Sequence, residues 1–266
     1  MRLLRLYGAY VRVLLKGMME YRLNFWTDFL SFFITNIASY AYVWIIMSRF
    51  PVINGWSFFE VMVLVSLYQI SWGACGVFIR SPLLTVEHLV RDGKFDNVLT
   101  KPIPTLVHVI LMKFNHIWFG NIIVGMVVLT VSLRELDISL GAADVVWLIV
   151  TLLCGVMIMS GLIIMIGTLN FRFIRAGGIG ESIFRNFTEF IRYPITIYPK
   201  VIQLLLTVVP FAFINFYPAH LFLDRSGDAT FASALRYGGP PVAAATLVLG
   251  ILLWNSSIKR YQSTGS

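Results

Sequence analysis

Charge is scarce in this sequence, and the scarcity decides its solvent. Only 13% of the 266 residues are Asp, Glu, Lys or Arg, while 58% are hydrophobic and the mean hydropathy is +0.80. A soluble domain of this size could not hide that much apolar surface, so the expected solvent is lipid. Cysteine is nearly missing too. Cys75 and Cys154 both lie in apolar runs and give no sign of a disulfide or a metal site. The phosphate-binding pattern G-x-x-x-x-G-K-[ST] is absent. The nearest Gly-rich segment, Gly177–Gly178–Ile179–Gly180–Glu181–Ser182, lacks the Lys that a nucleotide site needs. No G-x-S-x-G elbow and no H-E-x-x-H helix occur. The expectation is a chain that is not an enzyme and binds no cofactor or metal of its own.

The net charge is +8 and the pI is near 9.7. In a soluble protein that would point to nucleic acid. In an apolar chain basic residues mark cytoplasmic loops and meet anionic headgroups, so no nucleic-acid partner is expected. Residues 1–23 read as an interfacial amphipathic helix rather than a signal peptide, because Arg5, Arg12 and Lys16 interrupt any apolar core. Those three share a face with Glu20, and Leu3, Leu6, Tyr10, Val13, Leu14 and Met18 crowd the other side.

Residues 24–266 read as one transmembrane domain with six spans, at about 24–48, 57–79, 105–133, 144–170, 179–198 and 240–258. The third is long and begins polar, with Lys113, Asn115 and His116, so it is expected to enter the membrane obliquely as one helix with Lys113 snorkelling. Basic residues set the orientation. Arg2, Arg5, Arg12, Lys16 and Arg22, then Arg80, Arg91, Lys94 and Lys101, then Arg172 and Arg175, then Lys259 and Arg260 all fall on one side if the chain crosses six times. Both termini are then cytoplasmic.

The stretch 171–223 leaves two choices. In one, residues 179–198 span and 200–223 form a hairpin that dips into the outer leaflet and returns. In the other, 179–198 is cytoplasmic and 200–223 spans. Charge favours the second, because Glu181, Arg185, Glu189 and Arg192 are costly in lipid. Their spacing of 4, 4 and 3 favours the first, since it collects them in one stripe with alternating signs. Pro210 and Pro218 also suit a broken re-entrant element.

The longest polar interruption is 80–104. Ser81 and Pro82 predict a helix start there, and Gly93 a left-handed stop. Leu83, Val86, Leu89 and Val90 share one face. Thr85, Glu87, His88, Arg91 and Asp92 share the other, with Glu87 and Arg91 spaced to pair. About 11 helical residues span roughly 17 Å, too short to cross a bilayer and long enough to lie along one.

This arrangement resembles the permease subunits of ABC-2 type exporters. The residues that carry the likeness are Arg91–Asp92–Gly93–Lys94–Phe95–Asp96–Asn97–Val98–Leu99–Thr100–Lys101–Pro102–Ile103. A second likeness is Tyr193–Pro194, Tyr198–Pro199, Val209–Pro210–Phe211 and Tyr217–Pro218–Ala219, similar to a branch of permeases of unassigned substrate. The resemblance implies an all-α polytopic protein in the cytoplasmic membrane. It implies a cytoplasmic coupling helix between spans two and three and short outer re-entrant helices after span five. It implies a partner subunit that binds ATP and Mg, touched by Glu87, His88, Arg91, Asp92, Gly93 and Asp96. It also implies a second permease, a copy or a sibling. The 4, 4, 3 spacing of Glu181, Arg185, Glu189 and Arg192 predicts that this stripe faces the dimer interior as part of an export conduit. The expected cargo is hydrophobic or amphipathic. The alternative class is a carrier driven by an ion gradient, which would favour internal symmetry and a midplane acid.

Overall fold

The computed structural model describes residues 2–171, 176–223 and 235–261. The basic pair Arg172 and Arg175 and most of the polar stretch 224–239 lie outside the described residues. Thirteen helices are used below: α1 Arg2–Glu20, α2 Arg22–Arg49, α3 Phe58–Cys75, α4 Ser81–Leu83, α5 Val86–Arg91, α6 Asp96–Leu99, α7 Thr105–Met112, α8 Phe119–Glu135, α9 Ala142–Leu169, α10 Ala176–Phe190, α11 Lys200–Val208, α12 Phe216–Ala219 and α13 Gly239–Ile258. Two-residue strands, β1 Val52–Ile53 and β2 Trp56–Ser57, pair in antiparallel register around Asn54 and Gly55, both at positive φ. That is the tight hairpin that Asn-Gly encodes.

Among the described residues, five helical stretches are long and apolar enough to cross a membrane: Arg22–Arg49, Phe58–Arg91, His116–Glu135, Ala142–Leu169 and Gly239–Ile258. A sixth arises if the pair bent by 74°, Lys200–Val208 with Phe211–Ala219, counts as one span. The protein is thus an all-α polytopic membrane protein. Its centre is α3, where residues 61–73 are all buried. Gln69 accepts a hydrogen bond from Asn121 of α8 (3.0 Å) and donates one to Asn36 of α2 (3.5 Å), so polar side chains tie three helices where hydrophobic contrast with lipid is weak.

Contacts at their tips order the helices between two ends of the bundle, marked here by Trp56 and by Glu87. The helix α9 runs parallel to α3, with Ser160 Oγ donating to Cys75 Sγ at 3.8 Å. The helix α13 runs parallel to α9, with Tyr237 against Trp147 at one end and Gly167 near Trp254 at the other. Trp254 Nε1 donates to Thr105 Oγ1 at 3.3 Å, which places the last turns of α13 at the Glu87 end. The helix α1 packs there as well, against α2 and α7.

Three local expectations differ from the structure. The predicted span 105–133 is broken. The chain leaves α7 at Lys113, which is extended (φ −143°, ψ 127°), and restarts where Asn115 accepts from the Ile117 amide (3.3 Å). Asn115 is a helix starter, and that local bond competes with continuing the helix. Residues 80–91 do not form a separate helix capped by Ser81. A π turn, Gly76–Arg80, carries α3 straight on, and Ser81 Oγ donates backwards to the Gly76 carbonyl (2.9 Å). The wider turn lets Pro82 sit inside a helical run despite its missing amide proton. The helix expected over 179–198 begins earlier, with Gly177, Gly178 and Gly180 in its first turns, and its regular part stops at Phe190.

Candidate functional site

The helical run from Phe58 to Arg91 has 34 residues. At 1.5 Å per residue it measures about 51 Å, against roughly 30 Å of hydrocarbon, so the run is longer than the apolar layer is thick. Gly93 stops the run at φ 67°, as its lack of a Cβ permits. The turn that follows is held by Phe95, which is fully buried. Its ring meets Phe171 at 4.9 Å and Tyr261 at 5.2 Å, and its amide donates to the Leu89 carbonyl at 2.9 Å. Val86, Val90 and Val98 are buried beneath the same turn, while His88, Arg91, Asp92, Lys94, Asn97 and Lys101 are exposed; Gly93 and Asp96 are half-buried. The anticipated amphipathic split is therefore present, with Phe95 as an apolar pin that the pattern did not single out.

Glu87 does not pair with Arg91. Arg91 Nε donates to Asp92 (3.3 Å) and its Nη2 to His88 Nδ1 (2.9 Å). Glu87 turns the other way and accepts from the backbone amide of Gly178 at 3.0 Å. The first-turn amides of α10 lack partners within their own helix, and a carboxylate is the natural acceptor there.

The charged stripe on α10 divides. Gly180, Phe184, Thr188 and Ile191 face the bundle, at steps of 4, 4 and 3, and the stripe lies beside them. Glu181 and Arg192 turn inward, while Arg185 and Glu189 are exposed. Eleven residues complete about three helical turns, so 181 and 192 return to nearly one azimuth while 189 is rotated by about 80°. Arg192 Nε lies 2.9 Å from Glu189, its Nη1 donates to Ser39 Oγ at 2.9 Å, and its guanidinium lies 5.9 Å from the Tyr68 ring. Arg185 forms no ion pair among the described residues. The expected pairing along the whole stripe is thus limited to Glu189 with Arg192.

Glu181 instead pairs with Arg80 across the bundle, through both Nε (3.0 Å) and Nη2. The two side chains retain only 11% and 14% exposure. The Arg80 guanidinium sits 4.9 Å from the Trp72 ring and 5.0 Å from the Trp118 ring, a cation held between two indoles. Gly76 makes this possible, since a Cβ there would overlap the Trp118 ring. Ser81 Oγ fixes the cage by accepting from Trp118 Nε1 (3.0 Å) and Asn115 Nδ2 (3.3 Å). Glu181, Glu87 and Asn170 also line a cavity of about 20 Å³, room for one water. Sequence reasoning missed Arg80, Trp72 and Trp118 as a unit. The available signal was the spacing Trp72, Gly76, Arg80, which puts all three on one helical face.

The chain from α10 to α13 has its own path. Asn54 Nδ2 donates to the Thr196 carbonyl (3.2 Å), so the segment after α10 reaches the Trp56 end. Phe211 then lies against Phe184 (5.4 Å) and Phe187 (5.8 Å), halfway along α10. Phe216 and His220 come back to Trp56, each at 5.8 Å. The segment enters and leaves at one end.

The profile of a family described as ABC-2 family transporter protein matches residues 33–265. No curated protein and no solved structure matches the chain. ABC-2 family permeases are membrane components that work with an ATP-binding subunit. A match across that much of the chain, on an all-α bundle with several spanning helices, means that the chain belongs to the ABC-2 transporter family as a multi-pass permease of an ABC exporter.

Proposed function

We propose that this permease carries a hydrophobic or amphipathic substrate out across the cytoplasmic membrane, using ATP and Mg held by a separate subunit. The observation that carries the reading is the α3–α5 run. It is longer than the apolar layer is thick and ends in a pinned turn whose exposed side chains are His88, Arg91, Asp92 and Lys94. A continuous helix transmits displacement better than a loose loop, and this one meets a partner with charge of both signs. Gly93 shapes that surface and Asp96 opens α6 beside it, whereas Glu87 is committed to α10.

The Glu87 end is the cytoplasmic one in this proposal, because Arg91, Lys94, Lys101, Lys259 and Arg260 are exposed there. Both termini then face the cytoplasm. The chain crosses six times, with the segment 176–197 as the fifth crossing and 200–223 as an outer re-entrant hairpin. The path through Thr196, Phe211 and Phe216 supports this. The exposed side of α10 carries Ser182, Arg185, Asn186 and Glu189. A polar face at membrane depth needs a polar cover, so a second permease stands against it and the two enclose the conduit.

The test is reconstitution. The purified chain in lipid should hydrolyse no ATP alone and should support ATP-dependent turnover with its partner. A cysteine placed by His88→Cys should cross-link to that partner. Robust hydrolysis by the chain alone, or labelling of position 88 from outside intact cells, overturns the reading.

A further inference from the structure

We infer that the Arg80–Glu181 pair, with the Glu87–Gly178 bond beside it, is a two-point latch that makes α10 move with the coupling run. This rests on the exporter reading above and names the residues that would pass the motion inward. Both attachment points on α10 lie within its first turns, at Gly178 and Glu181. Both points on the run, Arg80 and Glu87, lie about two helical turns apart. Two points fix orientation as well as distance, which one bond would not.

The pair is built to stay closed. Arg80 is enclosed by Trp72 and Trp118, so separating it from Glu181 would strand a charge between indoles. Displacement of the run therefore drags α10 before the pair opens. The far end of α10 is bridged to the same run, near its Trp56 end. Asn215 Nδ2 donates both to the Ile191 carbonyl (2.6 Å) and to the Leu64 carbonyl (3.1 Å) of α3. A swing of the run about its Trp56 end moves that bridge least and the Gly178–Glu181 end most, so α10 tilts with the run. The tilt swings Arg185 and Glu189, the exposed pair on the stripe, relative to whatever faces them. Glu181 is on this account a positioning residue, not a wall of the conduit.

The experiment uses the permease assembled with its ATP-binding subunit in vesicles, in a Cys75→Ala, Cys154→Ala background. Single reporters, His88→Cys and Ile183→Cys, are labelled with a permeant maleimide with and without ATP. Both parent positions are exposed. ATP is expected to change the labelling rate at both. Glu181→Ala should abolish the change at 183 and leave that at 88. The double variant Arg80→Met with Glu181→Leu, which leaves no stranded charge, should do the same. Glu181→Gln, which keeps an acceptor for Arg80, should restore part of the response at 183. An ATP response at 183 that survives Glu181→Ala overturns the latch. So does a parent that responds at 88 and not at 183. A parent silent at 88 instead sinks the exporter reading. Failure of both Glu181→Ala and the double variant to assemble with the subunit marks the pair as purely structural, and also overturns the latch.

Discussion

Arg185 and Arg192 belong to one charged stripe and occupy different surroundings. Arg192 is held by Glu189, Ser39 and the Tyr68 ring, whereas Arg185 is exposed on the outer side of α10. Truncating the first removes charge-assisted bonds, and truncating the second removes none among the described residues. Arg192→Gln is expected to lower the stability of the purified chain by about 1.5–3 kcal/mol. Arg185→Gln should leave thermal unfolding unchanged and reduce transport by the assembled exporter. Equal loss of Tm in the two variants would contradict this division. The neighbour that Glu189 depends on is Arg192, so the informative double change is Glu189→Gln with Arg192→Gln.

Among helix pairings, α9 against α13 is the most extensive, and it depends on small residues. A Cβ at Gly161 would lie 2.6 Å from the Thr246 carbonyl oxygen, and one at Gly250 would lie 2.7 Å from the Gly161 carbonyl oxygen. The backbones approach that closely because neither residue has a side chain, a packing that membrane helices use in place of the hydrophobic effect. Gly161→Leu should therefore separate α9 from α13, at a cost of about 1–3 kcal/mol or more in thermal unfolding. Gly8 on α1 is the contrast, since a Cβ there would meet nothing within 4 Å. Gly8→Ala should be neutral or stabilising by about 0.5–1 kcal/mol, because alanine loses less backbone freedom in a helix. A lower Tm for Gly161→Leu and an unchanged or higher Tm for Gly8→Ala are the expected outcome. At the same scale, the merger of α3 with α5 shows how a π turn can carry a helix through a proline that alone reads as a start.

For the whole molecule, the arrangement places the β1–β2 hairpin and the turn at Gly93 at opposite ends. Asn54→Cys should react with an impermeant thiol reagent added to intact cells, and His88→Cys should react only after permeabilisation. Position 54 is exposed and bonded to Thr196, so its labelling also tests the proposed crossing by 176–197. Protection of 54 together with labelling of 88 would invert the orientation argued from the basic residues.

Some of this was legible from residue order alone. The helices around 24–48, 144–170 and 240–258, the stop at Gly93 and the split between the apolar and charged sides of 83–92 all appear close to where they were expected. They depend on hydropathy, helical period and the backbone freedom of glycine, which act within a few turns of chain. The rest depends on residues far apart in sequence. Which acid Arg80 meets, whether Glu181 pairs with its i,i+4 neighbour or across the bundle, and whether Glu87 faces Arg91 or Gly178 are decided only when α3 and α10 are packed together. Local spacing makes a pair reachable. Burial chooses among reachable pairs, because a charge removed from water accepts only the partner that shares its enclosure.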